Sequence, residues 1–263
     1  AFAPDGRTLA AGGFEGVARV WDVVSGKTVL TFEGHGTAGC WWKSPQRVFS
    51  LAYTSDGRRV ATQGDKATKV WDATTGHELL TLTPNRLAER LRTGAVSFSP
   101  DDTLLASARG SVTFWEVATG KKLATRQQDQ RDHATPGLAF ARAGHRLAIN
   151  WCDFVEIRKV TPSAPLGELE TIFLLPSSPH ELRVLPYTYR CPVAFSPDGQ
   201  RLAAAADVLA VWNVGQSRPV GQFIPSDPAG LIWDVTFSPD ATLLATAGKR
   251  GVDLWDGELR LVR

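Results

Sequence analysis

Apolar and polar residues alternate along this chain in short runs, with a period near two inside each run and almost no helical periodicity. The segment around Ser196-Pro197-Asp198-Gly199 sets out the pattern. An alternating apolar strand leads into this tetrapeptide, which reads as a type I turn: proline presets φ at the second position and glycine suits the fourth. A run of small apolar residues, Leu202–Ala205, comes next, then a run ending in Trp212. In sister segments a Ser-Gly-Lys or Thr-Gly-Lys turn and a last strand, such as Lys121–Arg126, complete the unit. Each unit is therefore expected to hold four short strands.

The unit recurs six times. AFAPDGRTLA (1–10) returns as AYTSDGRRVA (52–61), SFSPDDTLLA (97–106), AFARAGHRLA (139–148), AFSPDGQRLA (194–203) and TFSPDATLLA (236–245). A tryptophan motif follows in all but one: VWD at 20–22, VWD at 70–72, FWE at 114–116, VWN at 211–213 and LWD at 254–256. In the fourth copy Ile157-Arg158-Lys159 holds that place. The equivalent positions are 21, 71, 115, 158, 212 and 255, so the steps are 50, 44, 43, 54 and 43 residues. A period in the forties, lengthened twice by about ten residues, predicts a radial β-propeller rather than a helical solenoid. Leu9, Val60, Leu105, Leu147, Leu202 and Leu244 sit at the same step after their turns and are expected to be equivalent buried positions on the second strands.

These phased turns and Trp-Asp strand ends resemble the WD-repeat β-propeller family over nearly the whole chain. The resemblance implies an all-β fold, a β-propeller of six recognisable four-stranded blades in a native ring of six or seven. The first blade reads as truncated: only Ala1 and Phe2 precede the turn at Pro4-Asp5-Gly6, where the other repeats supply a full first strand. That strand is the innermost one, so the ring is expected to be open beside the sixth blade. The family often ties a blade with a hydrogen-bonded tetrad of His, Ser/Thr, Asp and Trp. Only the second repeat offers a full set: His35, Thr62, Asp65 and Trp71. At the Asp position the other repeats carry Glu15, Arg109, Cys152, Ala206 and Lys249, so their blades are expected to rely on packing. Clean repeats with little linker resemble propellers carried by large bacterial multidomain proteins. Residues 1–263 are accordingly expected to be a single propeller domain, a fragment of something longer.

Composition narrows the partners. The chain is 43% hydrophobic and 21% charged, as suits a globular protein with a real core. A net charge of +2, from 29 basic and 27 acidic residues, gives no electrostatic case for nucleic acid or an anionic membrane. No apolar run approaches the roughly 18 residues of a membrane span. Cys40, Cys152 and Cys191 are odd in number and far apart, which argues against a disulfide framework, and no C-x-x-C or Cys/His cluster suggests zinc. This usage leans toward a reducing, cytoplasmic compartment.

Candidate chemistry resolves into decoys. Gly34, Gly36 and Gly39 spell G-x-G-x-x-G after the strand Thr28–Phe32. A dinucleotide site needs a helix directly afterwards to aim its amide dipoles at a pyrophosphate, and CWWKSPQR, with Pro45, begins none. Gly34-His35 reads instead as the Gly-His that often starts a WD repeat. Ser25-Gly26-Lys27-Thr28 imitates the end of a phosphate-binding loop, but Trp21 stands where that loop needs glycine. There is no G-x-S-x-G elbow. The histidines at 35, 77, 133, 145 and 180 lack ligand spacing. No catalytic, cofactor or metal residues are expected.

Four of the nine tryptophans lie outside the repeat motif: Trp41, Trp42, Trp151 and Trp233. Trp41 and Trp42 are expected to anchor the first insertion. Trp151, and Phe14 at the same offset in the first repeat, together with Trp233 near the start of a first strand, fall at offsets that in the family commonly face the channel rim. Core filling is the competing reading for the tryptophans. Arg47, Arg92 and Tyr189, two residues upstream of the Trp233 position in their own repeats, would supply a polar rim. The resemblance thus implies a non-catalytic scaffold that presents rim and loop residues to a protein or peptide partner. The alternative is a lactonase-like or TolB-like propeller that acts on or binds a small ligand in its channel. Trp-Asp dipeptides in three repeats argue against that alternative.

Overall fold

The computed structural model describes the chain except residues 14, 36–46, 84–93, 128–134, 176–189, 207, 224–231, 249–250, 258 and 263. The described residues form 23 strands and no helix. They fall into two compact units, Ala1–Arg126 and Gln127–Arg263.

The first unit holds three blades, each an up-and-down antiparallel sheet. Blade 1 is β1 (Thr8–Gly12), β2 (Ala18–Asp22) and β3 (Thr28–Phe32). Blade 2 is β4 (Val48–Tyr53), β5 (Arg59–Gly64), β6 (Thr68–Asp72) and β7 (Glu78–Leu82). Blade 3 is β8 (Ala95–Phe98), β9 (Leu104–Ala108), β10 (Ser111–Glu116) and β11 (Lys122–Gln127). On the inner side of blade 1 a single bridge, Phe2 to Leu9, stands where the other blades have a strand.

The second unit repeats the plan. Blade 4 is β12 (Thr135–Phe140), β13 (Arg146–Asn150), β14 (Phe154–Thr161) and an 11-residue β15 (Ala164–Leu174). Beside β12 runs β16 (Arg190–Cys191), paired in parallel and making this sheet five-stranded. Blade 5 is β17 (Val193–Phe195), β18 (Arg201–Ala205), β19 (Leu209–Asn213) and β20 (Gly221–Phe223). Blade 6 is β21 (Ile232–Phe237), β22 (Leu244–Gly248) and β23 (Gly251–Trp255), with Leu261 bridging Trp255 at the outer side.

The turns obey the sequence logic. In the second, third, fifth and sixth repeats a Ser or Thr hydroxyl at the start of the turn donates to the Asp two residues on: Thr54 to Asp56, Ser99 to Asp101, Ser196 to Asp198 and Ser238 to Asp240. The next turn position needs a left-handed backbone, and Gly6, Gly57 and Gly199 supply it with φ near 70°. Asp102 takes the same conformation at φ 58° without glycine's freedom. Its carboxylate accepts hydrogen bonds from the Ser55 N–H and hydroxyl, each at 2.7 Å, and so ties the turn of blade 2 to that of blade 3.

One register runs through all six blades. The leucine-type residue of the second strand lies opposite the tryptophan position of the third: Leu9 faces Trp21, Val60 Trp71, Leu105 Trp115, Leu147 Arg158, Leu202 Trp212 and Leu244 Trp255. Five of these leucine-type residues are buried. Leu9, expected to match them, is only half-buried, because Phe2 on its inner flank is itself 63% exposed and shields it poorly. The core lies between neighbouring sheets. Leu105 and Trp115 pack with Ala61, Val70 and Leu82 of blade 2, and Trp212 packs with Ile157 and Phe173 of blade 4.

Candidate functional site

The shared register decides what each buried indole nitrogen meets. Two residues beyond the leucine-type position stand Thr62, Ser107 and Thr246 in blades 2, 3 and 6. Trp71 Nε1 donates to Thr62 Oγ1 at 2.8 Å, Trp115 to Ser107 at 2.9 Å and Trp255 to Thr246 at 2.9 Å. Blade 5 has Ala204 at that place, and the buried Nε1 of Trp212 has no hydrogen-bond partner among the described residues.

In blade 2 the hydroxyl of Thr62 also meets His35 Nε2, at 2.6 Å. Because the oxygen accepts the Trp71 N–H, its own proton is free to donate to an unprotonated Nε2. The environment keeps His35 neutral: burial, with help from Lys69, pulls its pKa down to about 4 against the opposite pull of Glu78 and Asp65. Packing is close enough to demand glycine nearby. A Cβ at Gly34 would overlap the Trp71 ring, and one at Gly64 would overlap the imidazole. The Gly-His pair is therefore structural, while Gly36 and Gly39 lie outside the described residues.

Asp65, the fourth candidate of this set, carries a link between blades. Its Oδ2 accepts the Arg47 N–H at 2.7 Å, and its Oδ1 lies 3.4 Å from Arg109 Nη2. Arg109 occupies the Asp position of blade 3, so a departure from the repeat pattern becomes an ion pair with blade 2. Burial lowers the Arg109 pKa from its ordinary value; Asp65 opposes that shift and Arg47 adds to it. The same guanidinium sits 5.9 Å from the Phe49 ring centre.

Blade 4 solves the missing tryptophan differently. Glu156, 1% exposed, accepts the Trp151 Nε1–H at 3.0 Å and pairs at 3.1 Å with Arg158 Nε, while Arg158 Nη1 donates to the carbonyls of Leu166 and Gly167. Trp151 is 2% exposed. The expected rim position is thus corrected: its indole is held inside the blade by a buried carboxylate. Sequence reasoning missed Glu156, which carries no motif. Its one signal is that it stands two residues before an arginine in a tryptophan's place.

Trp233 is placed differently, with 53% of its surface exposed. Ile232 pairs with Gly248 and Asp234 with Ala247, which leaves Trp233 as the extra residue of a β-bulge. Bulges re-aim side chains and recur next to functional sites. Blade 2 has the same irregularity: Val48 pairs with Gly64 and Ser50 with Gln63, so Phe49 is bulged and half-buried. Phe49 was missed although it stands four residues before Tyr53, the offset of Trp233 from Phe237. Of the other expected surface residues Arg47 is half-buried, and Phe14, Arg92 and Tyr189 lie outside the described residues, as do Trp41 and Trp42.

The cysteine expectation is overturned. Cys152 and Cys191 form a disulfide, with Cα atoms 5.3 Å apart across a separation of 39 residues. The fold brings the end of β13 beside β16, a proximity that an odd count of dispersed cysteines conceals. The inference of a reducing compartment, which rested on unpaired cysteines, loses its basis. Among the described residues no group of three or more His, Cys, Asp or Glu side chains could hold a metal. No helix among them is long and apolar enough to cross a membrane. Ser25-Gly26-Lys27 is a turn: Asp22 Oδ1 accepts the Ser25 N–H and hydroxyl, and Gly26 has φ 67°.

Comparison with known proteins agrees with this geometry. The family "WD domain, G-beta repeat" matches residues 1–22, 26–72 and 218–261. Autophagy-related protein 16 of Arabidopsis thaliana is 34% identical over 121 residues, 44% of this chain and 22% of that protein. Apoptotic protease-activating factor 1 of Rattus norvegicus is 25% identical over 251 residues, 91% of this chain but 18% of its own length. WD repeat-containing protein slp1 of Schizosaccharomyces pombe is 29% identical over 229 residues, 82% of this chain and 41% of its own. The chain thus spans well under half the length of these relatives. All three are eukaryotic, so the expected bacterial character has no support. The structure of U3-55K superposes with a TM-score of 0.76 at 18% identity, covering 99% of this chain and 78% of that one. The WD40 repeats of RRP9 give 0.76 at 19% identity, covering 99% and 77%. Repeat phasing, blade register and these matches together place the chain in the WD-repeat β-propeller family.

Proposed function

We propose that residues 1–263 act as one propeller domain of a longer protein, a non-catalytic platform that docks a protein or peptide partner. One observation carries the reading: Trp233 displays a large indole to solvent on a β-bulge, whereas every other repeat-associated tryptophan except the half-buried Trp21 is buried. Aromatic anchors are enriched among interface hot spots. In the other unit Phe49 stands on a matching bulge, with the Arg109 guanidinium 5.9 Å from its ring centre and Arg47 two residues upstream in the chain. Phe14, Arg92 and Tyr189 belong to the same proposal through their repeat offsets. Propellers of this family are generally scaffolds, and the matches indicate no catalytic family. The near-neutral charge favours a protein partner over nucleic acid.

Selection of a random displayed-peptide library on the wild-type chain, followed by rebinding to Trp233→Ala, tests this. Selected sequences should be recovered poorly by the variant. Equal recovery would remove Trp233 from the docking surface.

A further inference from the structure

We propose that Cys152–Cys191 is a redox-set clasp, a disulfide whose exchange with a small thiol such as glutathione locks or frees the inner seam between blades 4 and 5. The placement of the two cysteines points to a seam. Cys152 holds the position where blade 2 carries Asp65, the residue that reaches blade 3 through Arg109. Cys191, at the edge of the blade 4 sheet and two residues before β17 of blade 5, makes the corresponding link covalent.

Beyond the apolar packing of Ile157 and Phe173 against Trp212, two polar elements among the described residues join the inner end of this seam. The β16–β12 pairing consists of Thr135 with Arg190 and Pro136 with Cys191, and proline has no N–H to give to the ladder. Gly137 lies so close to Cys191 that a Cβ there would overlap the Cys191 carbonyl oxygen. The second element is Asn150. Its Nδ2 donates to the carbonyls of Pro192 and Ala205, at 2.9 and 3.0 Å, and its Oδ1 accepts the Cys152 N–H at 3.0 Å. These bonds do not depend on the sulfur oxidation state, so blades 4 and 5 remain folded when the disulfide opens. Cys152 itself is held at φ 78°, a conformation costly for any residue but glycine. Breaking the disulfide frees that backbone to relax. The result is an inner seam with two states: one closed by a covalent bond and one held there by a short, proline-interrupted ladder and Asn150, with the apolar core between the blades kept in both.

The exchange is balanced as follows. A glutathione thiolate attacks Sγ of Cys152, the less buried residue of the two at 7% exposure against 0% for Cys191, and expels the Cys191 thiolate, which takes up a proton. A second glutathione thiolate attacks the glutathione sulfur of the mixed disulfide, releasing oxidised glutathione and a Cys152 thiolate that is protonated in turn. Two glutathione thiols are oxidised and one protein disulfide is reduced.

The test titrates the full chain with mixtures of reduced and oxidised glutathione under native conditions, quenches in acid, and alkylates in denaturant. Of the three cysteines, one should be alkylated in the oxidised form and three in the reduced form, with reversible passage between them. Hydrogen exchange on the two forms should show the amides of Arg190, Cys191 and Val193 exchanging at least about tenfold faster after reduction, with β18 and β19 unchanged. Cys152→Ser should exchange like the reduced wild type in either buffer; if that variant fails to fold, the wild-type titration still decides. Three alkylated cysteines in oxidised glutathione would overturn the proposal. So would a disulfide that survives a large excess of reduced glutathione, or identical exchange in both forms.

Discussion

Trp212 stands eight residues after Ala204, the spacing that separates Trp115 from Ser107, yet only Trp115 finds an acceptor for its indole N–H. Both tryptophans face the leucine-type residue of the preceding strand in the same register, so blade 3 is a geometric template for blade 5. Ala204→Ser should place a hydroxyl where Ser107 has one. A buried donor without a partner costs about 1–3 kcal/mol, and satisfying it should recover about 1 kcal/mol after the serine's own desolvation. Thermal unfolding should show a higher midpoint. A lower one would mean that the Phe173–Trp212 packing leaves no room for the oxygen.

His35 makes stability pH-dependent in a defined window. Its folded pKa of about 4 lies below the ordinary 6.5, so between these values the unfolded chain binds the proton and the folded one does not. Stability contributed by the neutral imidazole is therefore complete above pH 6.5 and is lost as pH falls toward 4, by at most about 3 kcal/mol. The turn carboxylates Asp56, Asp72 and Asp198, lowered from 3.8 by hydrogen bonds, act only below that window. Denaturant unfolding at pH 7 and pH 5 should show the loss in the wild type and a flatter profile in His35→Gln. Parallel profiles would contradict the assignment.

Glu156→Ala should be among the most damaging single changes. It leaves the Arg158 guanidinium without its carboxylate and the Trp151 N–H without an acceptor, at a cost of about 3 kcal/mol or more. Glu156→Gln keeps a carbonyl oxygen for Trp151 and should cost less. Equal, small losses would mean that the carboxylate does not hold this blade.

Asp65 and Arg109 should couple. The pair is largely shielded, with side chains 24% and 8% exposed, so a double-mutant cycle of Asp65→Asn and Arg109→Leu should return about 1 kcal/mol, above the typical exposed pair. Additive single losses would show that the two blades meet through packing alone.

The repeat unit was legible in the sequence because its turns and tryptophans depend on local chemistry. Ser-Pro-Asp-Gly fixes a turn whatever surrounds it, and the constant step from turn to leucine-type residue, with the tryptophan position 10 to 12 residues further on, points to the pairing of Leu202 with Trp212 and its sisters. The links between blades were not legible, because they join residues distant in sequence at positions where the repeat departs from its pattern. Arg109 and Cys152 read only as missing aspartates, yet one finds Asp65 and the other Cys191. Trp151 was misplaced for a related reason. Its offset matches a rim position, but the arginine at 158 brings a buried carboxylate within reach, and the indole follows it inward. Trp233 is exposed on a bulge that depends on pairing with β22, which periodicity does not reveal.

Affinity for a selected peptide, measured by titration calorimetry on wild type and Trp233→Ala beside the unfolding midpoint of each, tests the docking platform most directly. Truncating an exposed anchor should weaken binding by about 2 kcal/mol, roughly thirtyfold, while the midpoint stays within about 2 °C. Unchanged affinity, or weakened binding matched by a large fall in the midpoint, would contradict a docking role for this side chain.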